Sequence, residues 1–268
     1  MPEKRAVPQK HGLSGKRGSP GAPPEVLLDA RDLVKTFPAP VRGQKPVTVL
    51  RGVSVAAQPG EMVSIVGPSG SGKSTLLYCL AGLELYDGGG VTLLGRDLSG
   101  LSRRQLAVLR RNDVGFVFQS FNLIPSLTAR ENIALPARLA RKRLSASSVD
   151  GALARVGLSE QARNRPAQLS GGQQQRVAIA RVLAMEPRIV FADEPTGSLD
   201  TVTGAMVLDL LRESARGDRG VVMVTHDLEA AALADRVLVL RDGTVHAKLS
   251  APSPEQVLAA VTEAGVVA

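Results

Sequence analysis

The stretch Gly67-Pro68-Ser69-Gly70-Ser71-Gly72-Lys73-Ser74-Thr75 constrains the fold of this chain more than any other. It follows the β-rich run Glu61–Val66 and opens a helical run from Lys73 to Ala81. In that setting the pattern G-x-x-x-x-G-K-[ST] has a mechanical meaning. Its glycines let the backbone bend until successive N–H groups face one anion. The helix that follows adds its N-terminal N–H groups and the positive end of its dipole. Lys73 is then placed to reach β- and γ-phosphates, and the Ser74 hydroxyl to ligate Mg²⁺. A surface Gly/Ser turn is the bland alternative, and the flanking strand and helix argue against it. By itself the loop specifies a nucleotide phosphate and leaves the reaction open.

The rest of the chain alternates β-rich and helical runs. Val26–Phe37 and Thr48–Ala57 have strand character, with the Pro/Gly-rich loop Pro38–Pro46 between them. Gly88–Gly90 mark a turn, Val91–Leu94 a strand, and Val114–Phe118 another strand-like run. From about Ser126 to Leu169 the sequence is rich in Leu, Ala and Arg at helical spacing. This region predicts an inserted helical subdomain, about residues 120–170. Helix Gln174–Met185, strand Arg188–Ala192, helix Thr201–Arg216, strand Val221–Thr225 and helix Leu228–Leu233 come next. Strands Arg236–Leu240 and Thr244–Leu249 and a last helix, Pro254–Ala264, complete the order. Such alternation predicts an α/β fold around a mainly parallel sheet.

Composition narrows the function. The chain has 268 residues, is 44% hydrophobic and carries a net charge of +8. That charge invites a nucleic-acid or anionic-membrane reading. Half of it, however, lies in residues 1–24, where Lys4, Arg5, Lys10, Lys16 and Arg17 oppose Glu3 among five Pro and four Gly. This tail is expected to be disordered, either as a tether to an anionic surface or simply as a solvated segment. The clusters Arg103–Arg104, Arg110–Arg111 and Arg141–Arg143 are expected on exposed helix faces. No aromatic residue alternates with them, as a base-stacking surface would require, so no nucleic acid is expected as a partner. No apolar run reaches the roughly 18–20 residues that span a bilayer, and the start does not resemble a signal peptide. The single cysteine, Cys79, rules out an internal disulfide, and the three His lack the pairing of a zinc site.

A second acidic element accompanies the loop. Arg188–Ala192 has the pattern of a buried strand and runs into Asp193-Glu194. At the carboxyl edge of a parallel sheet these acids would lie beside the phosphate loop. Asp193 is placed to hold Mg²⁺, usually through its water shell. Glu194 is placed to polarise the attacking water as a general base. Leu169-Ser170-Gly171-Gly172-Gln173-Gln174-Gln175-Arg176 closely resembles the signature sequence of ATP-binding cassette (ABC) ATPases. Gln119, the run Asp193-Glu194-Pro195-Thr196-Gly197-Ser198-Leu199-Asp200, and Thr225-His226-Asp227 stand in the same order as in that family. The resemblance covers about residues 25–250, leaving the tail 1–24 and a C-terminal helix, 251–268, outside it.

The resemblance implies a P-loop NTPase core, an N-terminal antiparallel β subdomain and the inserted α-helical subdomain. It implies ATP and Mg²⁺ as cofactors, with ATP hydrolysis as the reaction. Ser170, Gly171, Gly172 and Gln173 form a second helix start able to take an anion. In the family this cradle and the phosphate loop come from opposite subunits and close on one ATP, which implies a homodimer. Gln119 looks like the family's glutamine that contacts Mg²⁺ and water, and His226 like its γ-phosphate histidine, although alone it would pass for an ordinary strand-end residue. The family places Asp200 in a segment that crosses the dimer interface. Phe37 resembles its adenine-stacking aromatic, with a plain core role as the alternative. Phe116 and Phe118 are expected in the strand core, and Phe121 is expected to be exposed toward a partner.

Two stretches, Val114–Ile133 and Asp193–Asp200, look like the macrolide-export and lipoprotein-release branch of the family. Gly88-Gly89-Gly90 and Ser198 depart from its usual residues. That resemblance implies a separate transmembrane permease as partner and a peripheral location on the cytoplasmic face of the inner membrane. Two other functions stay open at this level: a regulatory ABC ATPase acting on a cell-wall partner, and a non-transport ATPase acting on nucleic acid. A P-loop GTPase or small-molecule kinase would leave Leu169–Arg176 without a purpose.

Overall fold

The computed structural model describes residues 26–39, 45–197 and 199–266. The tail 1–24, part of the loop Pro38–Pro46 and Ser198 lie outside the described residues. Two sheets organise the rest. β1 (Leu28–Phe37) pairs antiparallel with β2 (Val47–Ala57) on one side and with β4 (Gly88–Leu93) on the other. With β5 (Arg96–Asp97) they form a four-stranded sheet in the order β2-β1-β4-β5.

The second sheet contains β3 (Met62–Val66), β6 (Val114–Val117), β7 (Ile189–Asp193), β8 (Gly220–Val224), β9 (Arg236–Arg241) and β10 (Thr244–Ser250). Its order is β10-β9-β3-β8-β7-β6, and only the β10–β9 pair is antiparallel. Every residue of β3, β7 and β8 is buried. Strands covered on both faces need continuous apolar runs, and Val221–Val224 and Ile189–Ala192 supply them.

Helices cover these sheets. α1 (Lys73–Leu80) packs Leu76, Leu77 and Leu80 into one core with Ile65, Phe191 and Leu33. α3 (Ala129–Leu139), α4 (Ala146–Arg155) and α5 (Gly171–Leu183) contribute Ile133, Leu153, Val177 and Ile179 to a second core. α6 (Thr201–Ser214) adds Val207 and Leu211 to that second core, and α7 (Leu228–Ala232) adds Ala230 and Ala231. α8 (Pro254–Val266) closes the described chain and begins with Pro in its first turn, where a missing N–H costs nothing.

Three expectations need correction. Gly88–Gly90 do not form a turn; they are the first half of β4. Gly89 sits at φ +81°, and a Cβ there would lie 2.3 Å from the Arg31 carbonyl oxygen. Glycine is needed because two backbones meet there, so the triplet signals close strand approach. Arg141–Arg143 fall outside any helix, just after α3, whereas Arg103–Arg104 and Arg110–Arg111 lie as expected on a helix, α2 (Arg103–Asp113). Ser102 and Gln105 close its first turn with a capping box, and only Leu109 is buried, so its apolar periodicity is faint. Finally, α5 starts at Gly171 rather than Gln174, because Ser170 is its N-cap.

Candidate functional site

Strand register fixes the site. β3 aligns Ile65 with Val224 of β8, β8 aligns Val224 with Asp193 of β7, and β7 aligns Ala192 with Val117 of β6. The chain therefore leaves all four strands at one carboxyl edge, at Gly67, Glu194, Thr225-His226 and Phe118-Gln119. A cleft of about 290 Å³ opens there, lined by Val49, Ser69, Gly70, Gly72, Lys73, Ser74, Thr75, Gln119 and Glu194. Val49 comes from β2 and carries no sequence signal; the tertiary fold sets its carbonyl against Gly72 of the loop and Gly243 of the β9–β10 turn.

Gly67 adopts φ +146°, and a Cβ there would fall 2.1 Å from the Leu240 carbonyl oxygen. The loop thus leaves β3 hard against β9, which no side chain would permit. Gly72, in a left-handed conformation, caps α1. Lys73 Nζ donates to the carbonyls of Gly67 and Pro68, both at 2.9 Å, which folds the ammonium back over the loop. Burial lowers the Lys73 pKa below the ordinary value, while Glu194 and Asp193 pull the other way. A cation in that state gains from an anion brought to it. Pro68 and Ser71 do not line the cleft; the Ser71 N–H donates to the Pro68 carbonyl at 3.3 Å and closes the turn of the loop.

Behind the loop, Asp193 is only 2% exposed. Ser74 Oγ donates to its Oδ1 at 3.1 Å, and the Tyr78 hydroxyl to its Oδ2 at 2.8 Å. Sequence reasoning identified Ser74 and Asp193 and missed Tyr78, whose link to Asp193 spans 115 positions. The next residue, Glu194, has φ +50°, a left-handed conformation that costs a non-glycine residue roughly 1–2 kcal/mol. Its N–H donates to the Val224 carbonyl at 2.9 Å, so the neighbouring strand holds the strained turn. The turn sends the Glu194 side chain toward His226, whose Nδ1 lies 2.8 Å from Glu194 Oε2. The imidazole is 75% exposed and the carboxylate 13%, so the histidine stands at the mouth and the acid inside.

Two expected contributors stand apart from this cleft. Ser170, Gly171, Gly172 and Gln173 do not line it; they open α5. Ser170 Oγ accepts from the Gln173 N–H at 3.2 Å, and Gln173 Oε1 accepts from the Ser170 N–H at 2.9 Å. Phe37 does not line it either. The Lys35 ammonium lies 4.7 Å from the Phe37 ring centroid, and Lys35 donates to Glu84 at 2.6 Å. Burial opposes the charge on Lys35, but the Glu84 bond outweighs it and raises the pKa.

Among the aromatics near Gln119, Phe116 lies on β6 against the core as expected, while Phe118 falls just past the strand. Phe116 and Phe118 stack at 4.1 Å, both only half-buried. Phe121 is half-buried rather than exposed, with its ring tip against Gly171. Asp200 caps α6 through its side chain, which accepts from the Thr203 N–H at 3.0 Å.

A parallel sheet that delivers a glycine loop, a lysine and a helix start to its carboxyl edge defines a phosphate-loop nucleotide-binding protein. The profile of the ABC transporter family matches residues 50–197, just over half of the sequence, and the chain belongs to that family. Over 233 residues it is 42% identical to the macrolide export ATP-binding/permease protein MacB of Marinobacter nauticus, covering 86% of this chain and 36% of that protein. It is 48% identical over 218 residues to the pyoverdine export ATP-binding/permease protein PvdT of Pseudomonas entomophila, covering 78% and 33%. The chain thus spans about a third of the length of these curated relatives. A solved dimer of the ATP-binding cassette MJ0796, in a post-hydrolysis state with ADP and Pi, superposes with a TM-score of 0.78 at 39% identity. That match covers 84% of this chain and 99% of the cassette.

Proposed function

We propose that the chain is the ATP-binding and ATP-hydrolysing unit of an ABC exporter of the macrolide-export and lipoprotein-release kind, driving a membrane permease. One observation carries the reading: Lys73, Ser74, Gln119 and Glu194 meet in one cleft, while the cradle Ser170–Gln173 opens elsewhere on the same chain. Each needs a counterpart, and a two-fold dimer supplies both at once. The likeness to a dimeric cassette and to two export proteins supports that assembly. Among the described residues no helix is long and apolar enough to cross a membrane. The permease supplies the membrane path, and this chain would sit on the cytoplasmic face of the inner membrane.

The triphosphate would lie along Gly67–Thr75, gripped by loop N–H groups, the α1 dipole and Lys73. Phe37 would stack on adenine with the ring face opposite the one that Lys35 covers. Ser74, Asp193 and Gln119 offer oxygen donors only, the set Mg²⁺ prefers when substrate phosphates complete its shell. Bound there, Mg²⁺ would neutralise charge developing on the phosphates. Glu194 would accept the proton of the attacking water, oriented by Gln119. His226, held by Glu194 at the mouth, would reach the γ-phosphate. The Ser170–Gln173 cradle of a second copy would cover that phosphate from the other side.

The deciding experiment is Glu194→Gln with ATP. It should bind ATP, fail to turn it over, and run as a nucleotide-loaded dimer in size-exclusion chromatography. Normal steady-state turnover would remove Glu194 from the chemistry. Co-purification from membranes with a permease bearing a large extracytoplasmic domain would support the exporter assignment, and a soluble cell-wall enzyme as sole companion would refute it.

A further inference from the structure

Beyond the expected ligands, the structure gives Asp193 a partner with no sequence motif behind it, the Tyr78 hydroxyl. We propose that Tyr78 is a positioning residue that holds the Asp193 carboxylate in place for Mg²⁺. The inference rests on the metal site proposed above.

Ser74 and Tyr78 are four residues apart on α1, so their side chains rise from one helix face. Both hydroxyls aim at the same buried carboxylate, Ser74 at Oδ1 and Tyr78 at Oδ2. The two donors differ in freedom. One rotation about χ1 turns the Ser74 hydroxyl from Asp193 to a cation beside the loop. The Tyr78 ring has no such liberty. It packs 5.8 Å from Phe116, and Phe116 in turn lies 4.1 Å from Phe118 and 6.3 Å from Phe191. Phe191 precedes Asp193 by two residues on β7, and Phe118 precedes Gln119. The phenol is therefore wedged by the same strands that deliver the acid and the glutamine. Oδ2 keeps its partner, and Oδ1 stays directed at Ser74 and the cleft. Outer partners of this kind orient a metal-binding carboxylate, and their loss typically costs on the order of 10-fold or more in metal affinity.

Tyr78→Phe keeps the ring and removes the donor. With a fluorescent ATP analogue, metal-free affinity should stay at the wild-type value, while the Mg²⁺ concentration at half-saturation rises about 10-fold. The kcat at working Mg²⁺ should fall and recover at saturating Mg²⁺, with the KM for Mg²⁺–ATP little changed there. A purely structural tyrosine would instead lower the melting temperature and metal-free affinity together and leave the Mg²⁺ titration unmoved. Coincident Mg²⁺ titrations for variant and wild type would overturn the role of Tyr78 alone. A wild-type protein indifferent to Mg²⁺ would remove the metal site, and this role with it. A measurement without any substitution is also open, because the chain has only two tyrosines. With labelled tyrosine, the Tyr78 phenol resonance should keep its hydrogen-bonded position when Mg²⁺ and ATP are added. A shift to the position of a free phenol would overturn the proposal.

Discussion

At Glu194 backbone strain coincides with the chemistry proposed for the site. Its left-handed backbone and its bond to the Val224 carbonyl aim a carboxylate across the cleft. Glu194→Gln preserves that geometry, so thermal stability should stay near wild type while turnover falls about 100-fold or more. Steady-state ATPase assays beside calorimetry separate the two. Asp235 is a purely structural counterpart. Its carboxylate accepts from both arms of Arg212 and from the Met62 N–H at 2.8 Å, tying α6 to the start of β3. The Arg212 bond holds the Asp235 pKa below the ordinary value, against the cost of burial. A carboxyl more acidic folded than unfolded stabilises the protein above the unfolded pKa, and that contribution is lost as pH falls through the folded value. Asp235→Asn should cost about 1 kcal/mol at neutral pH, since solvent screens the pair. The gap to wild type should begin to narrow as pH falls past the unfolded carboxyl value near about 4, and close only below the lower folded value, where the acid is protonated in both states. Urea unfolding at both pH values checks this, and a gap that widened in acid would contradict it.

At the scale of elements, two junctions hold the site in place. The first is the contact of β4 with β1 at Gly89, where backbone meets backbone. Gly89→Ala should destabilise by about 2–4 kcal/mol, measured by chemical denaturation. A glycine triplet reads as a turn because turns are its commonest use, and only the pairing partner shows that it serves a strand. The second junction is the buried Asn132 on α3. Its side-chain amide donates to the carbonyls of Ile124, Leu127 and Thr128, and its oxygen accepts from the Ile124 N–H at 2.8 Å. It pins the loop that follows Gln119. Asn132→Ala removes the partner of the Ile124 N–H and of the Leu127 carbonyl, while the Ile124 and Thr128 carbonyls keep backbone donors, and should cost about 2–3 kcal/mol. Hydrogen exchange should then quicken in residues 120–128 ahead of the rest of the chain. Helix α2 is legible only through its basic clusters, because with one buried leucine it has almost no apolar stripe.

For the whole molecule the testable quantity is composite-site formation. If the phosphate loop and the Ser170–Gln173 cradle act across a two-fold axis, complementary defects should rescue each other. Lys73→Ala should weaken ATP binding and abolish turnover. Gly171→Asp places a carboxylate where a phosphate would approach and should abolish turnover while sparing binding at its own loop. Each variant alone should be inactive, and an equimolar mixture should regain ATPase activity, because the mixed dimer retains one intact site. A mixture as inactive as its components would reject a site shared between chains.

The sequence by itself determined the phosphate loop, the acidic strand end, the α/β alternation and the family. Each is written in contiguous residues whose spacing follows from backbone geometry: a glycine turn entering a helix, an apolar strand running into Asp193-Glu194, a Ser-Gly-Gly helix start. It also separated the basic tail from the rest of the charge, which left ATP as the anion of interest. Only the tertiary structure decided what depends on strand order and register. Placing β8 between β3 and β7 brings Glu194 to His226, the packing of β2 on the loop sets Val49 against Gly72, and α1 lying over β7 sets the Tyr78 hydroxyl on Asp193. Those contacts join residues from about 20 to more than 100 positions apart, and they form because buried strands and helices must satisfy one another's surfaces, which no local pattern specifies.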